Sequence, residues 1–208
     1  MQGVVTYAVE NKLNLLVDAG SSTNGYSREA MAKGAFQLAG WALVLAFFIT
    51  PLPLVAKRAP DPTLKALDGQ TRKLSALHGQ VVVLNFWATW RAPCQEELPR
   101  LSQMAAAYAG KPVKFALVSI DESRYRAKIP ALLATLHVTL ESWAGADTGT
   151  LDQFGLGNIV PGTVVLDEQG EIVARVMGEA REDDIRQAVD WLLAGKTGPA
   201  PTALTKRY

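Results

Sequence analysis

The sequence predicts an α/β domain, a central mixed sheet flanked by helices, with an N-terminal transmembrane helix or signal segment ahead of it. Three observations carry this. Val81–Phe86 and Val113–Ile120 are near-continuous apolar runs, the pattern of strands buried on both faces. The stretches after them, Cys94–Tyr108 and Arg124–Leu136, space their apolar residues at helical intervals. Two further short runs, Thr163–Leu166 and Ile172–Val176, are joined by the turn signal Asp167-Glu168-Gln169-Gly170.

Each element follows in chain order. Leu64–Leu67, the turn Asp68-Gly69 and Thr71–Leu74 read as an opening hairpin. The strand ending at Phe86 leads into a helix whose Leu98, Leu101, Met104 and Ala105 share one face. Val113–Ile120 is the second buried strand. Pro130 marks a start or a bend in the helix that follows. Leu151–Phe154 predicts a short helix. The hairpin over 163–176 comes next, and Arg181–Leu193 closes the domain as a helix that buries Ile185, Val189 and Leu192. The order β-α-β-α-β-β-α places helices on both faces of the sheet.

The ends divide from this core. Residues 34–56 carry no charge over 23 positions, enough to cross a hydrocarbon core of roughly 20 helical residues. An uncleaved anchor suits that length. A cleaved signal finds only a partial small-residue site at Leu54-Val55-Ala56. Arg28 and Lys33 on one side and Lys57 and Arg58 on the other leave orientation open on charge alone. Residues 1–33 read as a disordered tail, or translation begins at Met31, whose Met-Ala-Lys start suits an export segment. Residues 57–62 are a stiff Pro-containing linker, 63–195 the folded domain and 196–208 a flexible tail.

Composition excludes several function classes. The chain has 208 residues and a formal net charge of +1, so no global field argues for nucleic acid. Its one cysteine, Cys94, cannot form an intramolecular disulfide. With two histidines, His78 and His137, far apart in sequence, no zinc site built from Cys and His is expected. Both histidines are read as structural, and no cofactor is expected.

Chemistry is expected at Trp87-Ala88-Thr89-Trp90-Arg91-Ala92-Pro93-Cys94, where a central strand hands over to a helix. Open α/β sheets place their sites at such carboxyl ends. Pro93 suits a first helical turn, because its missing N–H is not needed there. Cys94 then falls near the positive end of the helix dipole, a position that favours thiolate.

The run Asn85-Phe86-Trp87-Ala88-Thr89-Trp90, then x-Ala-Pro-Cys, then Gln95-Glu96-Glu97-Leu98-Pro99, resembles the TlpA/ResA branch of the thioredoxin superfamily. Pro161-Gly162-Thr163-Val164-Val165-Leu166-Asp167 resembles that family's cis-proline loop and the hairpin after it. The likeness covers about residues 60–195. It implies a thioredoxin fold, an extracytoplasmic (periplasmic) and often membrane-anchored location, and thiol–disulfide exchange. Partners implied are protein thiols or disulfides, a membrane thiol reductase among them. Carried over by position, Cys94 matches the second, resolving cysteine. Arg91 stands where the attacking cysteine belongs. Glu97 matches an acid that assists proton transfer. Pro161 matches the cis proline, and the backbone of Val160 before it aligns a substrate chain like an added strand, with Trp90, Arg91 and Pro93 completing the groove.

The departure at Arg91 bears on mechanism. Exchange starts when an exposed thiolate attacks a disulfide, and a second thiol resolves the mixed disulfide. Arg91 cannot attack. Cys94 alone would need an outside thiol to finish a cycle. Two readings of Cys94 stand: a buried, inert thiol, or a reactive monothiol whose thiolate the Arg91 charge favours. Glu97 is either a buried acid with a shifted pKa or a solvated first-turn residue. Trp87 and Trp90 read first as packing groups. A peroxiredoxin site is not expected, because the threonine and arginine spacing it requires around Cys94 is absent. The functions left open are a thiol–disulfide oxidoreductase of reduced or monothiol competence and a non-catalytic module that holds an extended polypeptide. Because Cys and Arg codons can differ by one base, Arg91 also reads as a rare variant or a sequence error in an ordinary two-cysteine enzyme, and the intact surroundings fit that or a recent loss.

Overall fold

The structure, a computed structural model, describes residues 58–208. The tail expected over 1–33 and the anchor or signal expected over 34–56 lie outside the described residues. Among the described residues no helix is long and apolar enough to cross a membrane.

Among the described residues, eight strands form one mixed sheet. β1 (Leu64–Ala66) and β2 (Thr71–Arg72) make the opening hairpin, turning through Gly69 at φ 84°. β3 (Val81–Trp87) follows a 3-10 turn at Leu74–Leu77. Then come α1 (Ala92–Ala107), β4 (Val113–Ser119), α2 (Ile129–Thr135), β5 (Glu141–Ala144) and α3 (Thr148–Phe154). β6 (Gly162–Leu166), β7 (Ile172–Gly178), α4 (Glu182–Leu193) and β8 (Leu204–Arg207) complete the chain. The strand order is β2-β1-β5-β4-β3-β6-β7-β8. β3 lies at the centre, parallel to β4 and antiparallel to β6.

Every residue of β3 is buried, so both sheet faces are covered. The side chains show which helix covers which face. Asn85 reaches Glu97 of α1, while its neighbour Phe86 meets Phe154 of α3 at a ring separation of 5.0 Å. Successive strand residues point to opposite faces. α1 therefore lies on one face and α3 on the other. α4 packs beside α1 and also touches β3, β6 and β7. Burial of each Val or Leu in this core contributes about 1.5–3 kcal/mol.

Four expectations need correction. The tail over 196–208 is not loose: Leu204–Arg207 adds β8 parallel to β7. Arg207 pairs with Asp184 at 2.6 Å, and Lys196 with the buried Asp167 at 2.8 Å. Gly178 lets the strand come close, since a Cβ there would lie 2.7 Å from the Arg207 carbonyl oxygen. β5 was not expected, being four residues with no readable period. The helix expected over Arg124–Leu136 is a 3-10 turn, Ser123–Lys128, followed by α2 with Pro130 in its first turn, so Pro130 marks a start. The linker expected over 57–62 is already attached at Arg58, which bridges Glu171, and at Ala59, whose N–H donates to the Gly170 carbonyl (2.8 Å).

α3 starts three residues earlier than its apolar spacing indicates. Asp147 caps it, accepting from the Thr150 N–H at 2.8 Å, while the Thr150 hydroxyl oxygen accepts the Asp147 N–H. Such reciprocal caps define a helix start independently of hydrophobic pattern.

Candidate functional site

The site forms where β3 ends and α1 begins. The loop between them is held from below by Asp121, a buried carboxylate just past β4. Its Oδ2 accepts the Thr89 N–H (3.0 Å) and the Ser119 hydroxyl (2.6 Å), and its Oδ1 accepts the Thr89 hydroxyl (2.7 Å). Gln95 Nε2 donates to the Thr89 carbonyl at 2.7 Å, tying the loop to the first turn of α1. These bonds leave Trp90 64% exposed and fix where Arg91 starts.

Arg91 is the N-cap residue of α1, and Pro93 lies in the first turn. The Arg91 side chain crosses to the opposite loop, where its Nε donates to the carbonyl of Val160 at 3.0 Å. The Val160–Pro161 peptide bond is cis, as the resemblance implies. The carbonyl that the resemblance assigns to substrate alignment thus already accepts a bond from Arg91.

Cys94 has no exposed surface. Burial pushes its thiol up to about 12. A backbone hydrogen bond from Ala88 and the Arg91 charge lower it by less, and Glu97 adds to the rise. The expectation that the helix start favours thiolate is therefore corrected. Loss of hydration penalises the anion more than the dipole and one guanidinium stabilise it.

Glu97 is 1% exposed, so of its two readings the buried acid is the one observed. Its Oε1 accepts the Ala180 N–H (2.8 Å), and its Oε2 accepts Asn85 Nδ2 (3.2 Å). Burial pushes its pKa up to about 7 against the pull of these bonds. Asn85 Nδ2 also donates to Thr163 Oγ1 at 3.0 Å, while Asn85 Oδ1 and Trp87 Nε1 have no partner among the described residues.

The structure thus brings together Trp90, Arg91, Pro93, Cys94 and Glu97 from the first strand–helix unit and Val160 and Pro161 from the loop before β6. His78 lies apart, against Gly170, and His137 lies in the turn after α2, exposed, with φ 54°. Among the described residues no group of three or more His, Cys, Asp and Glu side chains is placed to hold a metal ion. Sequence reading missed Asp121, Asn85 and Thr163. Asn85 carried a usable signal, a lone amide inside the apolar run Val81–Phe86. It also missed Tyr125 and Lys128, which with Thr89, Trp90 and Leu132 line a cavity of roughly 450 Å3 beside the motif.

A family model described as the AhpC/TSA family matches residues 55–175, more than half of the chain. The chain belongs to the AhpC/TSA family. Within it, the relatives are thioredoxin-like thiol–disulfide oxidoreductases of the ResA kind. The thiol-disulfide oxidoreductase ResA of Geobacillus thermodenitrificans is 26% identical over 152 residues, 73% of this chain and 86% of that one. The thioredoxin-like protein YneN of Bacillus subtilis is 30% identical over 139 residues, 64% and 78% of the two chains. Among solved structures, a putative thiol:disulfide interchange protein DsbE from Chlorobium tepidum superposes with a TM-score of 0.57 at 26% identity, over 69% of this chain and 97% of that one. The α/β fold with its mixed sheet is the thioredoxin-like fold.

Proposed function

We propose that this ResA-like domain has lost thiol–disulfide turnover and serves as a binding module that holds an extended polypeptide, on the extracytoplasmic side of a membrane anchored through residues 34–56. One observation carries the loss of turnover: the exposed position of the motif is Arg91, and the thiol that remains, Cys94, has no exposed surface. A cycle needs an accessible thiolate to open the substrate disulfide and a second thiol to release it. Arg91 supplies neither, and burial withholds the thiolate of Cys94. What remains for recognition is the exposed Trp90 and the Arg91 guanidinium, whose Nε already takes the Val160 carbonyl. The location rests on the charge-free run over 34–56 and on the resemblance.

Monothiol exchange at Cys94 is the second reading. The Arg91 charge, which pulls the thiol pKa down, is what favours it. Burial pushes harder the other way, and the mixed disulfide would still need an outside thiol to take over the bond.

Arg91→Cys tests both parts of the proposal. In a disulfide-reduction assay with a dithiol as electron donor, the native chain is expected at the uncatalysed rate and Arg91→Cys clearly above it. Equal turnover by the two would overturn the account of the motif. The new thiol at this exposed position also reports location. In intact cells a membrane-impermeant maleimide is expected to label Arg91→Cys, and labelling only after lysis would place the domain on the other side.

A further inference from the structure

We propose that the surface around Trp90 and Arg91 binds an acidic segment of polypeptide, with a carboxylate of the segment docking on the Arg91 guanidinium. This rests on the reading that the domain holds a chain rather than exchanging thiols. Arg72, Arg100, Arg124, Arg186 and Arg207 each meet a carboxylate. Arg91 instead spends its Nε on the Val160 carbonyl, and among the described residues it forms no ion pair. That single bond orients the guanidinium and leaves its two terminal NH2 groups to a ligand. A planar guanidinium fork matches a carboxylate in bidentate geometry, and one already held in place loses less freedom on binding.

The neighbouring ground has the same sign. The cavity beside Trp90 is lined by Thr89, Trp90, Tyr125, Lys128 and Leu132, one cation and no acid. Lys128 Nζ and the Arg124 guanidinium lie 5.3 Å and 5.0 Å from the centre of the Tyr125 ring. Of the acids nearby in sequence, Asp121 is buried and already accepts from Thr89 and Ser119, Glu122 is tied to Arg124 at 3.0 Å, and Glu96 is exposed on α1. Arg126 turns inward, its Nε donating to the Asp121 carbonyl at 3.1 Å. The exposed indole thus shares a cavity with Lys128 and adjoins Arg91 in the chain, two cations that form no ion pair among the described residues. An apolar side chain next to an acidic one fits both the cavity and the fork. Two such cations are too few to track a phosphate backbone, where each neutralised phosphate adds to affinity. The polypeptide is therefore the occupant that the observations favour.

Fluorescence anisotropy on the full chain in detergent micelles tests this. The probes are three labelled pools of short, cysteine-free peptides, randomised except for a central Glu, Gln or Lys. The Glu pool is expected to bind roughly tenfold more tightly than the Gln pool, the effect of one charge-assisted pair, and the Lys pool most weakly. Arg91→Gln should erase the difference between Glu and Gln pools, Arg91→Lys should keep part of it, and Lys128→Gln should reduce it. Lys111→Gln, a cation elsewhere on the surface, should leave it unchanged. Equal binding of the Glu and Gln pools overturns the acidic preference and leaves the holding function standing. No binding of any pool overturns both. Arg91-dependent binding to phosphatidylglycerol vesicles without any peptide preference overturns the proposal in favour of a lipid surface.

Discussion

Trp90 and Arg91 stand in solvent, whereas Cys94, three residues on, has no exposed surface and Glu97, a turn further, is 1% exposed. Less than two turns of helix thus divide the motif into a contact half and a sealed half. The division follows from how α1 enters the fold. Its first residues project from the loop that Asp121 holds, and the helix then runs down onto the sheet, burying Cys94, Glu97 and Leu98. In a two-cysteine motif the attacking thiol occupies the contact half. With Arg91 there, the exposed half of the motif carries no thiol, and the one thiol present lies in the sealed half.

The largest effect that separates the halves is in thiol reactivity. With the Cys94 thiol pushed up to about 12 and no exposed surface, alkylation near neutral pH should run roughly a thousandfold or more slower in the native chain than in the chain unfolded in denaturant. Mass spectrometry of iodoacetamide-treated samples reads both rates. Native labelling within tenfold of the unfolded rate would break the division and restore the monothiol reading.

Glu97 sharpens the same contrast from inside the sealed half. Its pKa is about 7 in the folded chain against an ordinary 4.5 when unfolded. The folded state therefore holds the extra proton between these values, and stability falls as pH rises from about 4.5 through 7. Below that window the group costs nothing. Above it the penalty reaches about 3 kcal/mol. Glu97→Gln should flatten this slope and give a chain more stable than the native one at pH 8, as measured by urea unfolding at pH 5 and pH 8. A glutamine can still accept the Ala180 N–H, and once the Asn85 amide turns over its NH2 can donate to Asn85 Oδ1, which lacks a partner among the described residues. An unchanged slope would mean that Glu97 ionises freely and is not sealed.

The smallest stability effect belongs to the contact half. Trp90→Ala removes an aromatic that is 64% exposed, so the unfolding free energy from a urea titration should change by under about 0.5 kcal/mol. A loss of several kcal/mol would show that Trp90 is part of the core, and the two halves would then be one.

Much of the fold was legible because its elements are locally encoded. The apolar run Val81–Phe86, the helical spacing after Cys94 and the turn at Asp167–Gly170 each announce themselves within a short window. β5 and β8 did not, because four-residue strands have no period to read and owe their existence to partners far along the chain. β8 depends on Gly178, Asp184 and Asp167, each contacted from the C-terminal stretch only after folding. At the site, the residue types were legible and their surroundings were not. Cys94 and Glu97 carry no mark of burial in the sequence. Asp121 looked like any loop acid, although it organises Thr89 and hence the position of Trp90.

By itself the sequence determined the long strands and helices of the core, a helix start near Pro93 and a motif with Arg91 and a single thiol, Cys94. All of these are local, set by residue identity and spacing. Only the tertiary structure decided that Cys94 is sealed, that Glu97 holds its proton up to about pH 7, and that Arg91 reaches the Val160 carbonyl 69 residues away. Those outcomes turn on hydration and on contact between distant segments. Whether a group ionises or a side chain finds an acceptor depends on what the rest of the chain packs against it.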